Sequence, residues 1–201
     1  MESLILKVAE ELFMDKGFNG VSTTEIAQKV GCNQALIHYY YRTKANLFQK
    51  VFENKLRYLV SQFDITDENE EDFEERLSNR ISKHYEILKQ NPKLPIFILN
   101  EINNNSETIH WLKEAFKNNI PSFIVKFQKE LDEEVKINRM REVNAIDIIL
   151  NIISLNVFMF ISLPIVEYVF NSQNESIDQF VENRKKEIIQ TILNSIRLNN
   201  K

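Results

Sequence analysis

Cysteine and glycine are scarce in this sequence, which has one cysteine and three glycines among 201 residues. The single cysteine, Cys32, excludes an internal disulfide, and no secretory signal segment is recognisable, so we expect a protein of the reducing cytoplasm. Cys32 is predicted to be a small packing residue, and a redox-sensing thiol is the alternative. The glycines Gly17, Gly20 and Gly31 all lie near the start of the chain, which predicts tight turns in that segment.

Motifs of catalysis and metal binding are also missing. His38, His84 and His110 have no metal-ligand spacing with cysteine or carboxylate partners, and neither a glycine-rich phosphate loop nor a G-x-S-x-G sequence occurs. We therefore predict no metal, no cofactor and no enzymatic activity. An all-helical enzyme that uses His84 or His110 is the competing hypothesis.

Charge is distributed unevenly although the formal net charge is only −4. Residues 31–60 contain five bases and one acid, a net +4, whereas residues 64–75 contain eight acids and no base, a net −8. Attraction for a polyanion is thus predicted for the N-terminal segment. The acidic run is interpreted as a solvated loop and the first turn of a helix, where carboxylates complement the helix dipole.

One long apolar stretch, residues 148–166, contains no charged residue and is long enough to cross a bilayer. Two asparagines, Asn151 and Asn156, interrupt it, and no lysine or arginine lies close enough on either side to orient insertion. We therefore predict a helix buried against its own domain and a second subunit. A membrane-attached helical protein is the alternative.

The stretch from Val21 to Phe48 predicts two short helices and the start of a third. Ser22 and Glu25 have the spacing of a capping box, in which the hydroxyl and the carboxylate each accept a backbone N–H of the other residue. The first short helix is therefore expected to begin directly after the serine and to end at Gly31. Because Asn33 can cap the second, the pair forms a helix-turn-helix pattern.

The second short helix, roughly Gln34 to Tyr40, is too short to be stable without tertiary support. Ile37 and Tyr41 are the predicted inward anchors, and the outward face carries Gln34, Ala35, His38 and Tyr39. Glutamine pairs bidentately with adenine and an alanine methyl contacts the thymine methyl, so this face suits the DNA major groove. A solvated polar face without a partner is the other interpretation.

Lys44 follows Thr43, the predicted N-cap of the third helix, and so lies at the positive end of a helix dipole, where a cation is disfavoured. An anion at this helix end would relieve the conflict. We therefore predict that backbone amides, the Thr43 hydroxyl and the Lys44 ammonium together bind a phosphate.

Residues 1–48 resemble the DNA-binding domain of the TetR (tetracycline repressor) family of bacterial transcriptional regulators. The matching positions are Ala9, Leu12, Phe13, Gly17, Ser22, Ile26, Ala27, Gly31, Tyr40, Tyr41, Lys44 and Leu47. The resemblance implies phosphate contacts by Ser22, Thr23 and Lys44. It implies base contacts by Thr24, Gln34, Ala35 and His38, and ring contacts to the backbone or a base edge by Tyr39 and Tyr40. The sequence departs from the usual family residues at Cys32, His38 and Tyr41.

Beyond this domain the sequence predicts an all-α fold, because apolar residues recur at helical spacing without strand-like alternation. Helices are expected from Phe73 to Leu88, after Pro95, from Ser106 to Phe116, after Pro121, through residues 148–166 and from Ile177 to Ile196. We predict a helix-turn-helix domain at residues 1–48 and a larger helical effector-binding and dimerisation domain at residues 49–201.

The resemblance also implies how such a protein functions. The last two helices, about residues 143–171 and 177–197, would form a two-fold homodimer interface, so that two recognition helices bind a palindromic double-stranded operator. A cavity in the body would bind a small apolar or aromatic effector, and its candidate lining is Phe63, Tyr85, Phe97, Trp111, Phe116, Phe123 and Phe127. The expected function is a ligand-responsive repressor, with transcriptional activation as the alternative.

Overall fold

The computed structural model describes residues 1–61, 72–104, 106–171 and 176–198, although not the side chains of residues 59–61, 104, 106–112, 114–121 and 170–171. Within these ranges the regular structure is α-helical, apart from one isolated β-bridge between Met140 and Arg197. The predicted all-α fold is therefore confirmed. The helices are α1 (Glu2–Lys16), α2 (Thr23–Val30), α3 (Gln34–Tyr41), α4 (Lys44–Ser61), α5 (Phe73–Gln90), α6 (Leu94–Asn104), α7 (Ser106–Lys136), α8 (Ala145–Asn171) and α9 (Ile177–Ile196).

The chain divides into two compact units. Unit 1 comprises Met1–Leu59 and Ile96–Leu112, and unit 2 comprises Val60–Pro95 and Lys113–Lys201. The predicted boundary after residue 48 falls inside unit 1. The reason is that α4 continues the aromatic core of unit 1, where the Phe48 and Phe52 rings lie 5.7 and 5.8 Å from the Phe97 ring.

Unit 1 is built around an apolar core to which every one of its first four helices contributes. The core residues are Ile5, Val8, Ala9, Leu12, Phe13, Val21, Ile26, Ala27, Ile37, Tyr41, Leu47, Phe48, Val51, Phe52, Leu56 and Phe97. Gly17 ends α1 with a φ of 69°, a conformation that costs a glycine little. Leu4 is 45% exposed, since the buried stripe of α1 begins at Ile5.

Unit 2 has a separate core formed by α5, the C-terminal part of α7, α8 and α9. The buried apolar stripe of α5 contains Phe73, Leu77, Ile81, Tyr85 and Leu88. The α5 helix ends at Gln90, and Asn91 is its C-cap. From α8 the core receives Ile148, Ile152, Met159 and Phe160, and from α9 it receives Val181, Ile188, Ile192, Leu193 and Ile196.

One helix assignment from the sequence was wrong. Two helices were expected between Ser106 and Val135, with a break before Pro121, but α7 continues through this proline to Lys136. Proline removes one backbone donor and disfavours a helix interior, so the turns on either side of Pro121 maintain the helix despite it. In the acidic run, residues 64–71 lie outside the described residues, and Glu74 and Glu75 form the first turn of α5 as predicted.

Candidate nucleic-acid interface

The start of α2 is fixed by reciprocal contacts between Ser22 and Glu25. The Ser22 hydroxyl accepts the Glu25 backbone N–H at 3.1 Å, and the Glu25 carboxylate accepts the Ser22 backbone N–H. A hydrogen bond from Lys16 holds the pKa of Glu25 below its usual value. Gly31 ends the helix in the left-handed conformation, with φ 76° and ψ 35°. The predicted capping box and C-terminal glycine are therefore confirmed.

Two buried anchors orient α3. Asn33 caps the helix by accepting the Ala35 N–H at 2.9 Å, and Ile37 and Tyr41 are 1% and 8% exposed. The side chains between these anchors consequently point outward. Tyr39 is 79% exposed and packs edge-on against Tyr40.

The Gln34 amide binds to the first turn of α2. Its Nε2 donates to the Thr23 hydroxyl at 2.7 Å, and its Oε1 accepts the Thr24 hydroxyl at 3.3 Å. Three predicted DNA-binding residues therefore form one hydrogen-bonded group. A glutamine held in this way is preoriented, but bidentate pairing with adenine would require it to exchange both contacts.

His38 is held by the end of its own helix. Its Nδ1 lies 2.9 Å from the Arg42 carbonyl oxygen. Since a carbonyl only accepts, Nδ1 carries the proton, and Nε2 of the neutral ring is an acceptor. An outward acceptor on α3 suits the amino group of adenine or cytosine in the major groove.

Lys44 makes contacts that the sequence did not predict. Its Nζ donates to the Phe18 and Val21 carbonyl oxygens, both at 2.9 Å, and lies 4.2 Å from the centre of the Phe18 ring. These carbonyls relieve the unfavourable position at the helix N-terminus. The α1–α2 connection thus already supplies acceptors for the ammonium, and the phosphate contact of Lys44 stays a prediction.

Two other residues near this surface were missed in the sequence. Glu101 is 9% exposed and accepts the Phe18 backbone N–H, and its burial raises the pKa of its carboxyl. The sequence could have indicated Glu101 as a special position, because it is the single charged residue of α6. Arg42 is exposed with a φ of 62° directly after α3, and within the described part of the chain its guanidinium forms no ion pair. It is therefore a cation available at the end of the recognition helix.

Among the aromatic residues predicted to surround an effector, those with described side chains are Phe97 in unit 1 and Tyr85, Phe123 and Phe127 in the core of unit 2. Phe97 belongs to the core of unit 1. In unit 2, Tyr85 is fully buried and donates to the Val181 carbonyl oxygen at 2.7 Å, whereas Phe123 and Phe127 stack on each other. Of the remaining candidates, Phe63 lies outside the described residues, as do the side chains of Trp111 and Phe116.

A charged cleft of about 240 Å³ lies in unit 2 and is lined by Asp72, Phe73, Glu74, Glu134, Arg139, Met140, Ile196 and Arg197. Arg197 pairs with both carboxylate oxygens of Glu74, and Arg139 lies within 4 Å of Asp72 and Glu134. The two arginines therefore contact all three carboxylates, and the lining keeps a formal net charge of −1. It contains one of the ring residues of unit 2, Phe73, and none of the aromatic residues predicted to bind an effector.

A short outward-facing helix, held by two buried anchors behind a capped partner helix, defines a helix-turn-helix DNA-binding domain. Residues 5–51 match the family described as "Bacterial regulatory proteins, tetR family". The N-terminal segment is therefore a DNA-binding domain of the tetR type, and the predicted resemblance is confirmed.

Comparison with individual proteins gives a partial sequence match. The biofilm operon icaADBC HTH-type negative transcriptional regulator IcaR of Staphylococcus epidermidis is 30% identical over 60 residues. These residues are 30% of this chain and 32% of IcaR, so the chain matches about a third of the length of this relative.

Two solved structures share the fold along nearly the whole chain. The transcriptional regulator FadR of Bacillus subtilis, in complex with stearoyl-CoA, has a TM-score of 0.64 at 17% identity and covers 94% of this chain and 98% of its own. A TetR-family transcriptional regulator of Haemophilus influenzae has a TM-score of 0.66 at 13% identity, with coverage of 98% and 96%. The fold of both units is thus that of TetR-type regulators.

Proposed function

We propose that the protein is a homodimeric transcriptional repressor that binds a palindromic operator through α3 and is released by a small-molecule effector. The observation that carries this proposal is the outward face of α3. Gln34, Ala35, His38 and Tyr39 lie on this face, on a helix whose other side is fixed by Ile37 and Tyr41. Such a face matches the geometry of major-groove readers.

Phosphate contacts are available from the capping hydroxyls at two helix starts. Ser22 caps α2, and Thr43 caps α4 by accepting the Asn46 N–H at 3.1 Å. A hydroxyl that accepts in a cap retains its O–H as a donor. Both hydroxyls can therefore donate to a phosphate oxygen at a helix N-terminus, which favours anions. The amide of Asn33 and the exposed Arg42 would add donors on either side of α3.

The homodimer is supported by the exposed apolar side of α8. Phe158, Ile165 and Tyr168 are 68%, 70% and 79% exposed, whereas the exposed residues of α9, such as Asn183 and Gln190, are polar. A subunit interface combines an apolar centre with a polar rim. We propose that α8 provides the centre and α9 the rim, which gives the two recognition helices the two-fold relation that a palindrome requires.

The α8 helix is also long and apolar enough to cross a bilayer, with a mean hydropathy of 2.2 over Ala145–Val169 and 28% of its apolar window buried. Its inner side carries Asn156, which is fully buried and hydrogen-bonded to α5. Packing on this side within unit 2 and on a second subunit on the other side accounts for the composition of α8. We therefore propose a DNA-binding protein of the cytoplasm.

The direction of regulation is supported by the matched relative, since IcaR is named as a negative regulator. An effector is supported by the FadR structure, whose fold holds stearoyl-CoA. In our proposal the effector binds more tightly to a conformation in which the spacing of the recognition helices does not match the operator. DNA affinity then falls by at most the ratio of the effector's affinities for the two conformations. Activation of transcription from the same operator is the alternative.

The experiment is selection of bound fragments from random duplex DNA at about 150 mM salt, where nonspecific phosphate binding is weak. We expect enrichment of an inverted repeat whose half-sites are separated by about one helical turn or a multiple of it. A reporter placed behind the selected site then distinguishes repression from activation. Absence of enrichment over a scrambled competitor would contradict the proposal.

A further inference from the structure

Unit 2 contains a buried polar group between α5, α7 and α8. Arg80 and His84 of α5 are 4% and 5% exposed, and Asn156 of α8 is fully buried. Buried polar groups destabilise a protein unless their hydrogen-bonding atoms find partners. Each polar side-chain atom of these three residues is therefore expected to have a hydrogen-bond partner.

Arg80 uses only part of its guanidinium. Its Nη2 donates to both carboxylate oxygens of Glu130 at 3.0 and 2.9 Å, and the guanidinium lies 5.2 Å from the centre of the Phe127 ring. Its Nε and Nη1 are buried and have no acceptor among the described residues. Arginine cannot lose its proton to avoid this cost, so donors of a charged group remain unsatisfied in the core.

Asn156, in contrast to Arg80, has an acceptor atom without a donor. Its Nδ2 donates to the Ile81 carbonyl oxygen at 3.2 Å and lies 2.9 Å from His84 Nδ1, whereas its Oδ1 is buried without a donor. Because Nδ2 is a donor, Nδ1 of His84 accepts, which requires an imidazole unprotonated at that nitrogen. Burial lowers the pKa of His84 to about 4, so the ring is neutral at physiological pH.

The unsatisfied atoms belong to Arg80 of α5 and Asn156 of α8, and His84 of α5 links the two residues. Arg80 and His84 are four residues apart, which places their Cβ atoms about 5–6 Å apart on a helix, and Asn156 bonds to His84 itself. The group carries no spare charge, because Glu130 balances Arg80 and His84 is neutral. A ligand bound there must therefore supply both an acceptor and a donor, and it gains nothing from a net charge.

We infer that Arg80 and Asn156 bind the polar head of the effector, and that this effector is an uncharged amide-like or hydroxyl-bearing molecule with an apolar body. A carbonyl or hydroxyl oxygen would accept from Arg80, and an N–H or O–H would donate to Asn156 Oδ1. The Phe127 ring below the guanidinium offers an apolar surface for the body of the ligand. This inference rests on the proposed function, since it specifies the effector of that regulator.

The first test needs no ligand and uses the double variant Arg80→Met/Glu130→Met. If the unsatisfied donors await a ligand, removing the pair removes their cost, and the unfolding equilibrium constant of the ligand-free protein stays equal or falls. The matched control is Arg197→Met/Glu74→Met, because every guanidinium nitrogen of Arg197 has a partner, two on Glu74 and one on Asn194. A tenfold or larger rise for the Arg80 variant would overturn the inference by showing that the pair is structural.

The second test compares benzamide and hexanamide with benzoate and hexanoate at pH 7.4. Each probe's Kd is measured by calorimetry, and urea unfolding is then followed at ten times that value. We expect at least one amide to lower the unfolding equilibrium constant of the parent about tenfold, to lose this effect in the Arg80 variant and to keep it in the Arg197 control. Tighter binding of a carboxylate than of its matching amide, or no binding by either amide, would overturn the inference.

DNA selection with the parent protein, performed without any probe, separates this inference from the proposed function. Recovery of an operator together with failure of the amides overturns only the assignment of the effector. Failure of the selection overturns the regulator itself. Release of the selected operator by the stabilising amide, but not from the Arg80 variant, would support both.

Discussion

Replacement of Lys44 by methionine tests how the recognition domain is held together. Methionine keeps the apolar stem of the side chain and removes the ammonium, which donates to the Phe18 and Val21 carbonyl oxygens and lies over the Phe18 ring. The substitution therefore detaches the α1–α2 connection from the start of α4. We expect it to destabilise unit 1 rather than to remove a single phosphate contact.

The magnitude follows from the contacts that are lost. A hydrogen bond to a charged group contributes about 1.5–3 kcal/mol, but Lys44 is only half-buried, so water replaces part of each contact and we assign about 2 kcal/mol to the two together. The cation–π contact adds about 0.5 kcal/mol. The free energy of unfolding should thus fall by about 2–3 kcal/mol, which raises the unfolding equilibrium constant roughly 30- to 150-fold.

Urea unfolding measures the contribution of Lys44 to stability, and the salt dependence of DNA binding measures whether Lys44 contacts a phosphate. We expect a lower urea midpoint and, under conditions where the variant is folded, an unchanged slope of log K against log salt. The matched control is Lys50→Met, which removes an exposed α4 lysine 3.8 Å from Glu53 and should change stability by less than about 0.5 kcal/mol. An unaltered midpoint for the Lys44 variant, with a slope reduced by about 0.9, would refute this reasoning in favour of a phosphate contact.

Three further predictions address the other parts of the molecule. Phe158→Glu should raise the dimer dissociation constant about ten-thousandfold, because each of the two subunits would bury an unpaired carboxylate at a cost of about 3 kcal/mol; sedimentation checks this, with Gln190→Glu on α9 as the control and an intact dimer as the contrary result. Gln34→Ala should relax base preference without changing the salt slope, which selection with the variant measures; equal losses on specific and random DNA would contradict it. The pKa of His84 lies near 4 in the folded protein and near 6.5 in the unfolded chain, so the unfolded chain binds more protons between these two pH values. The free energy of unfolding should therefore be highest above pH 6.5 and should fall by up to about 3 kcal/mol as the pH drops to 4. Urea midpoints should show this fall in the parent and less of it in His84→Gln, and a flat parent profile would exclude it.

Features that depend on neighbouring residues were predictable from the sequence. The serine of the capping box, the asparagine cap of α3, the threonine cap of α4 and the glycine that ends α2 each act within four residues, so their spacing determines where those helices begin and end. The inward anchors Ile37 and Tyr41 follow from helical periodicity in the same way. These local rules were sufficient for the helix-turn-helix and for most of the all-α fold.

Contacts between distant residues required the tertiary structure. The sequence placed Lys44 at a helix start but could not show that carbonyls 23 and 26 residues earlier would accept its ammonium. Likewise, no local pattern could show that the Phe97 ring packs against those of Phe48 and Phe52 in unit 1.

The recognition surface depends on neighbouring residues, whereas the buried polar group depends on contacts between distant residues. Spacing along one helix determined which side of α3 faces outward, because a helix fixes the directions of its own side chains. Only the packing of three helices brought Arg80 to Glu130, 50 residues away, and left part of its guanidinium without an acceptor. The partner of a long polar side chain depends on which distant segment packs beside it, and no local pattern encodes that choice.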